Sequence, residues 1–468
     1  MEHSAIRLRL AFIDPGLRKA PFLLELRNWL TPSVDSLYWS QRPIVRRYMR
    51  SASVAMHPRD DSHTTRFADI SDAELRRAIG DKEWALRPAK ALRKARRLLA
   101  ELASFIDSER VGAIFVWNGS NLRGALAIYL ARLRGIPVIY AEHGYLSGTT
   151  QLDLEGVNAG SSMTRLACAG AAMIPCDPAL DATLNIEIAR FKSGENLRGV
   201  DSLPPAELRR DIVARLASRL GFWLERRALP FVNRLSVPGT RADRLPERYV
   251  LLPFQVRSDS QLVLHSPLYG DDLESLVRDL DHALARIDPD LRLVAKFHPY
   301  ELPQVQWAYR NLPKRYPRVS FVSGGPMARL LQAASAVVTI NSTAGFEALL
   351  YNKPVLALGR NFYTVPGIVE CADQRCDLEA AVRRTLTVAP DLKARRAFLR
   401  FVRARFLVAG GYHDLSQKSL RTVATRILEL LTVTPEGAAQ TPTHVVDSGT
   451  GLGAGAGATL RSGQPVHA

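Results

Sequence analysis

The chain has 468 residues, and 63 Lys+Arg against 46 Asp+Glu give it a formal net charge of +17. A composition of 47% hydrophobic and 23% charged residues excludes a disordered or collagen-like chain, and roughly 100–200 residues per domain predicts two or three domains. No stretch approaches the roughly 18 continuous apolar residues of a membrane span, the start lacks a secretory signal, and four cysteines are too few for a disulfide framework. A cytoplasmic protein with reduced thiols is the expectation.

In chain order, Arg7 to Asp14 reads as a strand that ends in the turn Asp14-Pro15-Gly16. A helix from Pro21 to Leu30, a strand near Ser36 to Ser40 and a basic helical stretch to Ser108 follow. Gly112 to Trp117, Asn121 to Arg134 and Ile136 to Ala141 then form a strand-helix-strand unit of the parallel-sheet kind. Residues 1–194 are expected to make one Rossmann-like domain, and 195–247, punctuated by Pro204-Pro205, Pro230 and Pro238-Gly239, a helical linker.

Alternation resumes with strands at Tyr249–Phe254, Leu291–Phe297, Val319–Val322, Ala336–Ile340 and Pro354–Leu358. The helices between them are read at Asp271–Ile287, Val305–Asn311, Met327–Ala334 and Thr343–Leu350, with more from Leu378 onward. Near-continuous apolar strands indicate a parallel sheet covered on both faces, a second Rossmann-like domain over 248–434. Residues 435–468, with almost no large apolar residue, are expected to be a disordered tail. The fold class is therefore α/β, two Rossmann-like domains with parallel sheets facing a cleft.

Positive charge gathers on three helical patterns, the third being Lys393, Arg395, Arg396, Arg400, Arg403 and Arg405. Such faces suit nucleic acid, anionic lipid or acidic polymers, or are simply solvated. No nucleic-acid-binding motif accompanies them, so an anionic lipid surface is the favoured partner and nucleic acid the least favoured.

Ligands of open α/β sheets bind at the carboxyl ends of strands. One such end reads Lys296-Phe297-His298-Pro299-Tyr300-Glu301, where His298 and Lys296 are suited to a phosphate. Another reads Asn341-Ser342-Thr343-Ala344-Gly345-Phe346-Glu347, suited to an anion at a helix N-terminus, or to a simple N-cap supported by Glu347. The two are expected on consecutive strand ends. In the first domain, Glu142-His143-Gly144-Tyr145 places a carboxylate where a general base for an acceptor hydroxyl belongs, or terminates the strand. Polar loop clusters that include Asn158, Gln255, Asp259-Ser260 and His265 are typical of sugar recognition. Asp288-Pro289-Asp290 is a turn signal, and no metal site is expected.

These residues, from Trp117 to Gly367, resemble the capsule polysaccharide synthesis family of bacterial glycosyltransferases, which transfers Kdo (3-deoxy-D-manno-octulosonic acid) from CMP-Kdo to a phosphatidylglycerol-linked acceptor. The resemblance runs through Glu142-His143-Gly144-Tyr145, Glu155-Gly156-Val157-Asn158, Pro253 to Ser260, His265-Ser266-Pro267, Lys296 to Pro299, Asn341 to Leu349 and Phe362 to Gly367. It implies a GT-B fold, with nucleotide on the C-terminal domain and acceptor on the N-terminal one. It assigns His298-Pro299 to the CMP moiety, Ser342 and Thr343 to its phosphate, and the acid/base to Glu142-His143-Gly144, whose second carboxylate is replaced by His143, leaving Glu142 as the carboxylate and His143 as an alternative base. Retention, as the family works, needs a further group, for which Asp259 is the first candidate; Glu301 and Glu347 are candidates for orienting nucleotide hydroxyls. Gly144, Tyr145, Asn158, Gln255, Ser260 and His265 complete the set as acceptor or sugar contacts.

The resemblance further implies CMP-Kdo as donor with no separate cofactor, a lipid-linked glycan acceptor, the anionic inner leaflet and other capsule assembly proteins as partners, and peripheral attachment to the inner membrane. Two other readings stand beside it. One is a GT-B transferase or epimerase for another nucleotide sugar; the other is a non-catalytic capsule assembly or export component.

Overall fold

A computed structural model describes residues 7–51, 70–79, 88–168, 174–193, 245–256, 262, 265–270, 272–298, 309–323 and 325–432. The linker expectation over 195–247, nearly all of it, and the tail from 435 lie outside these residues. So do Asp259, Ser260, Pro299 and Glu301.

Two six-stranded sheets organise the chain. The first is built from β1 (Leu8–Ile13), β2 (Val34–Trp39), β3 (Ala113–Trp117), β4 (Val138–His143), β5 (Thr149–Asp153) and β12 (Leu407–Ala409), in the order β12-β5-β4-β3-β1-β2. It is parallel except at β5, which runs antiparallel to both of its neighbours. The second holds β6 (Tyr249–Pro253), β7 (Arg292–Lys296), β8 (Val319–Val322), β9 (Ala336–Thr339), β10 (Val355–Ala357) and β11 (Glu370–Cys371), ordered β11-β10-β9-β6-β7-β8 and parallel throughout. This is the expected GT-B-like α/β architecture.

Each sheet is covered on both faces because its strands alternate apolar residues between two helical layers. In β1, Leu10 and Phe12 pack toward α1 (Ala20–Leu30) and α2 (Pro43–Ser51). Ala11 and Ile13 pack toward α3 (Asp72–Ile79), α4 (Pro88–Ser108) and α5 (Leu122–Leu133). Asn121 caps α5, its side chain accepting from the backbone N–H groups of Arg123 and Gly124. α6 (Ser162–Cys168) and α7 (Pro178–Lys192) follow β5. On the second sheet, α8 (Leu273–Ile287) and α12 (Leu378–Thr387) cover one face. α10 (Met327–Ala333), α11 (Thr343–Leu350) and α13 (Leu392–Arg405) cover the other. The residues expected as helix over 309–311 form a turn instead, which opens the single-turn α9 (Leu312–Arg315). Asp288 behaves as a turn residue, accepting from the Asp290 N–H at 3.0 Å and pairing with Arg248 at 2.7 Å.

Two segments cross the expected division between domains. Tyr145, Met163 and Leu184 join the core of the second sheet, with α7 packed along α13. In return, the chain after α13 forms β12 and α14 (Gln417–Thr432), which complete the first sheet and lie against α1, where they had been expected to close the second domain. Within β12, Leu407 is buried with the second core and the adjacent Val408 with the first.

The third basic cluster is largely spent on this exchange. Arg396 and Arg400 bind Asp181, Arg403 binds Glu187, and Arg395 is buried with its guanidinium on the carbonyls of Lys353 and Ile368. The acidic side of α7 consumes charge that had been expected to face a lipid surface.

Candidate functional site

β4 continues through Glu142 and His143 because its hairpin partner β5 pairs with both, Glu142 opposite Gln151 and His143 opposite Thr150. The motif expected as a turn is therefore the end of a strand, and Gly144 makes the turn. A Cβ on Gly144 would meet the side chain of Thr149 and lie 2.8 Å from its carbonyl carbon, so only glycine fits. Glu142 is half-buried. Its carboxylate accepts from Asn118 Nδ2 at 2.5 Å and from the His143 N–H at 2.8 Å. Asn118 is delivered by the end of β3 in the left-handed region, φ 65°.

Around the adjoining His143 ring stands a cluster that sequence reasoning missed, one member of which, Lys19, also feels the Glu142 charge. Lys19, at the start of α1, places Nζ 4.9 Å from the ring centroids of both Trp117 and Tyr412. Burial pushes its ammonium below the ordinary lysine value, while the charge of Glu142 opposes that shift. The hydroxyl of Tyr412 lies 3.3 Å from His143 Nε2, and the His143 ring is stacked 5.9 Å from that of His413. Tyr412 and His413 arrive from the segment after β12, nearly 270 residues away from His143. The only local signal was the run Gly410-Gly411-Tyr412-His413 after a short apolar stretch.

In the second sheet, β6 lies between β7 and β9, so the Lys296-His298 and Asn341-Thr343 ends are separated by one strand and are not consecutive as expected. The intervening end carries Gln255. Its amide donates to Asn341 Oδ1 at 2.9 Å and accepts from the Asn341 N–H at 3.2 Å, while Asn361 donates to the Asn341 carbonyl at 2.6 Å. Gln255 and Asn341, expected as sugar and nucleotide contacts, are buried and brace one another. Their polar atoms are engaged within the protein.

Ser342 caps α11, accepting from the Ala344 N–H at 3.2 Å, and Thr343 stands exposed on the first turn. Glu347 is half-buried one turn further on. The hydroxyl of Tyr363 donates to the Ser342 carbonyl at 2.5 Å, and Gly345 leaves room for that ring. Lys296 is buried at the end of β7, and desolvation lowers its pKa. His298 lies just beyond, half-buried.

The remaining expected contacts are struts. The hydroxyl of Tyr145 donates to Asn158 Oδ1 at 2.8 Å and lies 3.1 Å from Gln151 Oε1, and its ring is buried against Phe362. Tyr145 is buried and Asn158 half-buried. The Asp153 carboxylate organises the Glu155–Asn158 turn by accepting from the N–H groups of Glu155, Gly156 and Ser162. The carbonyl of His265 accepts from the Arg360 N–H at 2.9 Å, and burial, helped by Arg360, pushes its imidazole below the ordinary value.

Residues 219–412 match the family described as capsule polysaccharide biosynthesis protein. The match takes in the whole second sheet and ends at Tyr412, the residue that reaches His143. Protein FixF of Sinorhizobium fredii is 28% identical over 386 residues, 81% of each chain. The capsule polysaccharide export protein KpsS of Escherichia coli is 35% identical over 155 residues, 31% of this chain and 38% of that protein. Among solved structures, KpsC of Thermosulfurimonas dismutans, described as a beta Kdo 2,7 transferase, covers 90% of this chain and 99% of its own at 14% identity and a TM-score of 0.46. Among the described residues, no helix is long and apolar enough to cross a membrane.

Proposed function

We propose that this chain is a glycosyltransferase of capsule polysaccharide assembly that moves a sugar, as Kdo from CMP-Kdo, onto a lipid-linked acceptor with retention. The observation that carries the reading is the joining of the two sheets' carboxyl ends through Tyr145 and Phe362. This sets the Glu142 carboxylate on one side of that seam and the start of α11 on the other. The family match supports the pathway, and the chemistry of the strand ends supports the reaction.

On the donor side, the positive N-terminal end of α11, the hydroxyls of Ser342 and Thr343 and the Lys296 ammonium favour a phosphate. As the bond from the anomeric carbon to the phosphate oxygen breaks, CMP leaves with the bonding pair and its growing charge faces these donors. On the acceptor side, Glu142 takes the proton of the attacking hydroxyl, and Asn118 holds the carboxylate in place. Retention requires a second displacement or a shielded ion pair, and Asp259 stands as the candidate nucleophile.

The test is to incubate the full chain with CMP-Kdo generated in place and a short-chain phosphatidylglycerol acceptor analogue, and to look for added Kdo by mass spectrometry. Product that vanishes in Glu142→Gln while CMP still binds is the expected result. Transfer unchanged in that variant sinks the role of Glu142. CMP binding without product in the parent chain favours an assembly or export role, and absence of CMP binding removes the donor site itself.

A further inference from the structure

Outside the seam between the sheets, a groove of about 490 Å³ opens along the outer edge of the first sheet, between β12 with the end of α13 on one side and α14 on the other. Four guanidinium groups line it, those of Arg403, Arg405, Arg421 and Arg426, together with the hydroxyl residues Thr422 and Thr425. Two of the four are already matched: Arg403 pairs with Glu187 at 2.8 Å and Arg426 with Glu429 at 3.0 Å. The other two are not. Arg421 rests its guanidinium 5.9 Å from the ring centroid of Trp29, and among the described residues neither it nor Arg405 has a carboxylate partner.

We propose that this groove is a second anion site, built for a phosphate or phosphate-ester group. Two uncompensated guanidiniums present planar donor forks suited to phosphate oxygens, and the Thr425 hydroxyl supplies a neutral donor, that of Thr422 being given to the Lys418 carbonyl at 2.8 Å. Four cationic side chains against one anionic side chain in the lining keep the potential positive even after the two pairs are formed. Its placement adds a consequence for the rest of the molecule. β12 spans only three residues, about 10 Å of strand, and runs directly from the groove to Gly410, Tyr412 and His413 beside His143. A phosphate bound there is one short strand from the aromatic cluster, so occupancy bears on how that cluster is held. The assignment does not depend on which sugar is transferred.

The experiment uses the full chain. It is titrated calorimetrically with inorganic phosphate and, separately, sedimented with vesicles of phosphatidylcholine alone or with one-fifth phosphatidylglycerol. The expected result is saturable binding that weakens with added salt and falls at least tenfold in Arg405→Ala/Arg421→Ala, with the melting temperature unchanged because both side chains are exposed. Lys393→Ala, an exposed charge on α13 away from the groove, is expected to bind like the parent. Binding of free phosphate identifies a soluble ligand; binding only to the phosphatidylglycerol vesicles identifies a lipid headgroup. Retained affinity in the double variant, an equal loss in Lys393→Ala, or no binding to either probe overturns the proposal.

Discussion

The rings of Tyr145 and Phe362 stack with centroids 4.1 Å apart and planes inclined by 23°, one residue following the end of β4 and the other following β10. Phe346 of α11 closes the group at 5.4 Å from both. The strand that bears Glu142 and the helix that begins at Ser342 are thereby fixed to one aromatic cluster. Truncating Tyr145 removes a buried ring together with the hydroxyl bond to Asn158. Tyr145→Ala is expected to cost about 3–5 kcal/mol in urea unfolding. Tyr145→Phe, which keeps the stack, is expected to cost about 1 kcal/mol.

Ser342 and Thr343 separate stability from ligand binding. Ser342 caps α11, so Ser342→Ala is expected to lower stability by about 1 kcal/mol as well as weaken CMP binding. Thr343 is exposed and accepts no capping bond. Thr343→Ala is expected to leave the melting temperature alone and weaken CMP about tenfold or more, as loss of a hydrogen bond to a charged group does. Calorimetric titration of both variants checks the difference.

Gly144 is the tightest point of the β4–β5 hairpin. Gly144→Ala forces the new methyl into Thr149, with an expected cost of about 1–3 kcal/mol. It also shifts the adjoining Glu142-His143 end. Loss of transfer activity with near-parental CMP binding is the expected signature, because the donor side lies on the other sheet.

Asp181 anchors α7 to α13, and the hydrogen bonds from Arg400, then those from Arg396, hold its carboxyl down to about 2 from an ordinary 3.8. A carboxylate with a depressed folded pKa stabilises the native state above its unfolded value, and that contribution fades as pH falls from about 4 toward 2. Asp181→Asn removes it. The urea midpoint of the variant is therefore expected to lie below that of the parent at pH 6, with the gap narrowing by pH 3. A gap that stays constant with pH refutes the ion-pair origin.

Much of the backbone plan was legible in the residues. Val319–Val322 and Thr343–Leu350 were bounded to the residue, since each is a short apolar run or a capped helical pattern whose signal is local. The Asp288 turn was equally readable, because a side chain bonding its own neighbours needs no tertiary partner. What failed to show were the pairings over long separations. The hairpin that extends β4 through His143 depends on β5, and β12 depends on finding β5 from more than 250 residues away.

The same division runs through the site. Sequence by itself determined which chemistry is available: a carboxylate after Ala141, hydroxyls at a helix start and a lysine at a strand end, each set by the residues and by local geometry. Only the tertiary structure decided which of them are presented and which are spent. It buried Gln255 against Asn341 and Tyr145 against Phe362, paired most of the α13 arginines with α7, and brought Lys19 near Glu142 and Tyr412 and His413 to His143. Those outcomes follow from packing and charge pairing between distant segments, and the energies of such contacts are not written in any local pattern.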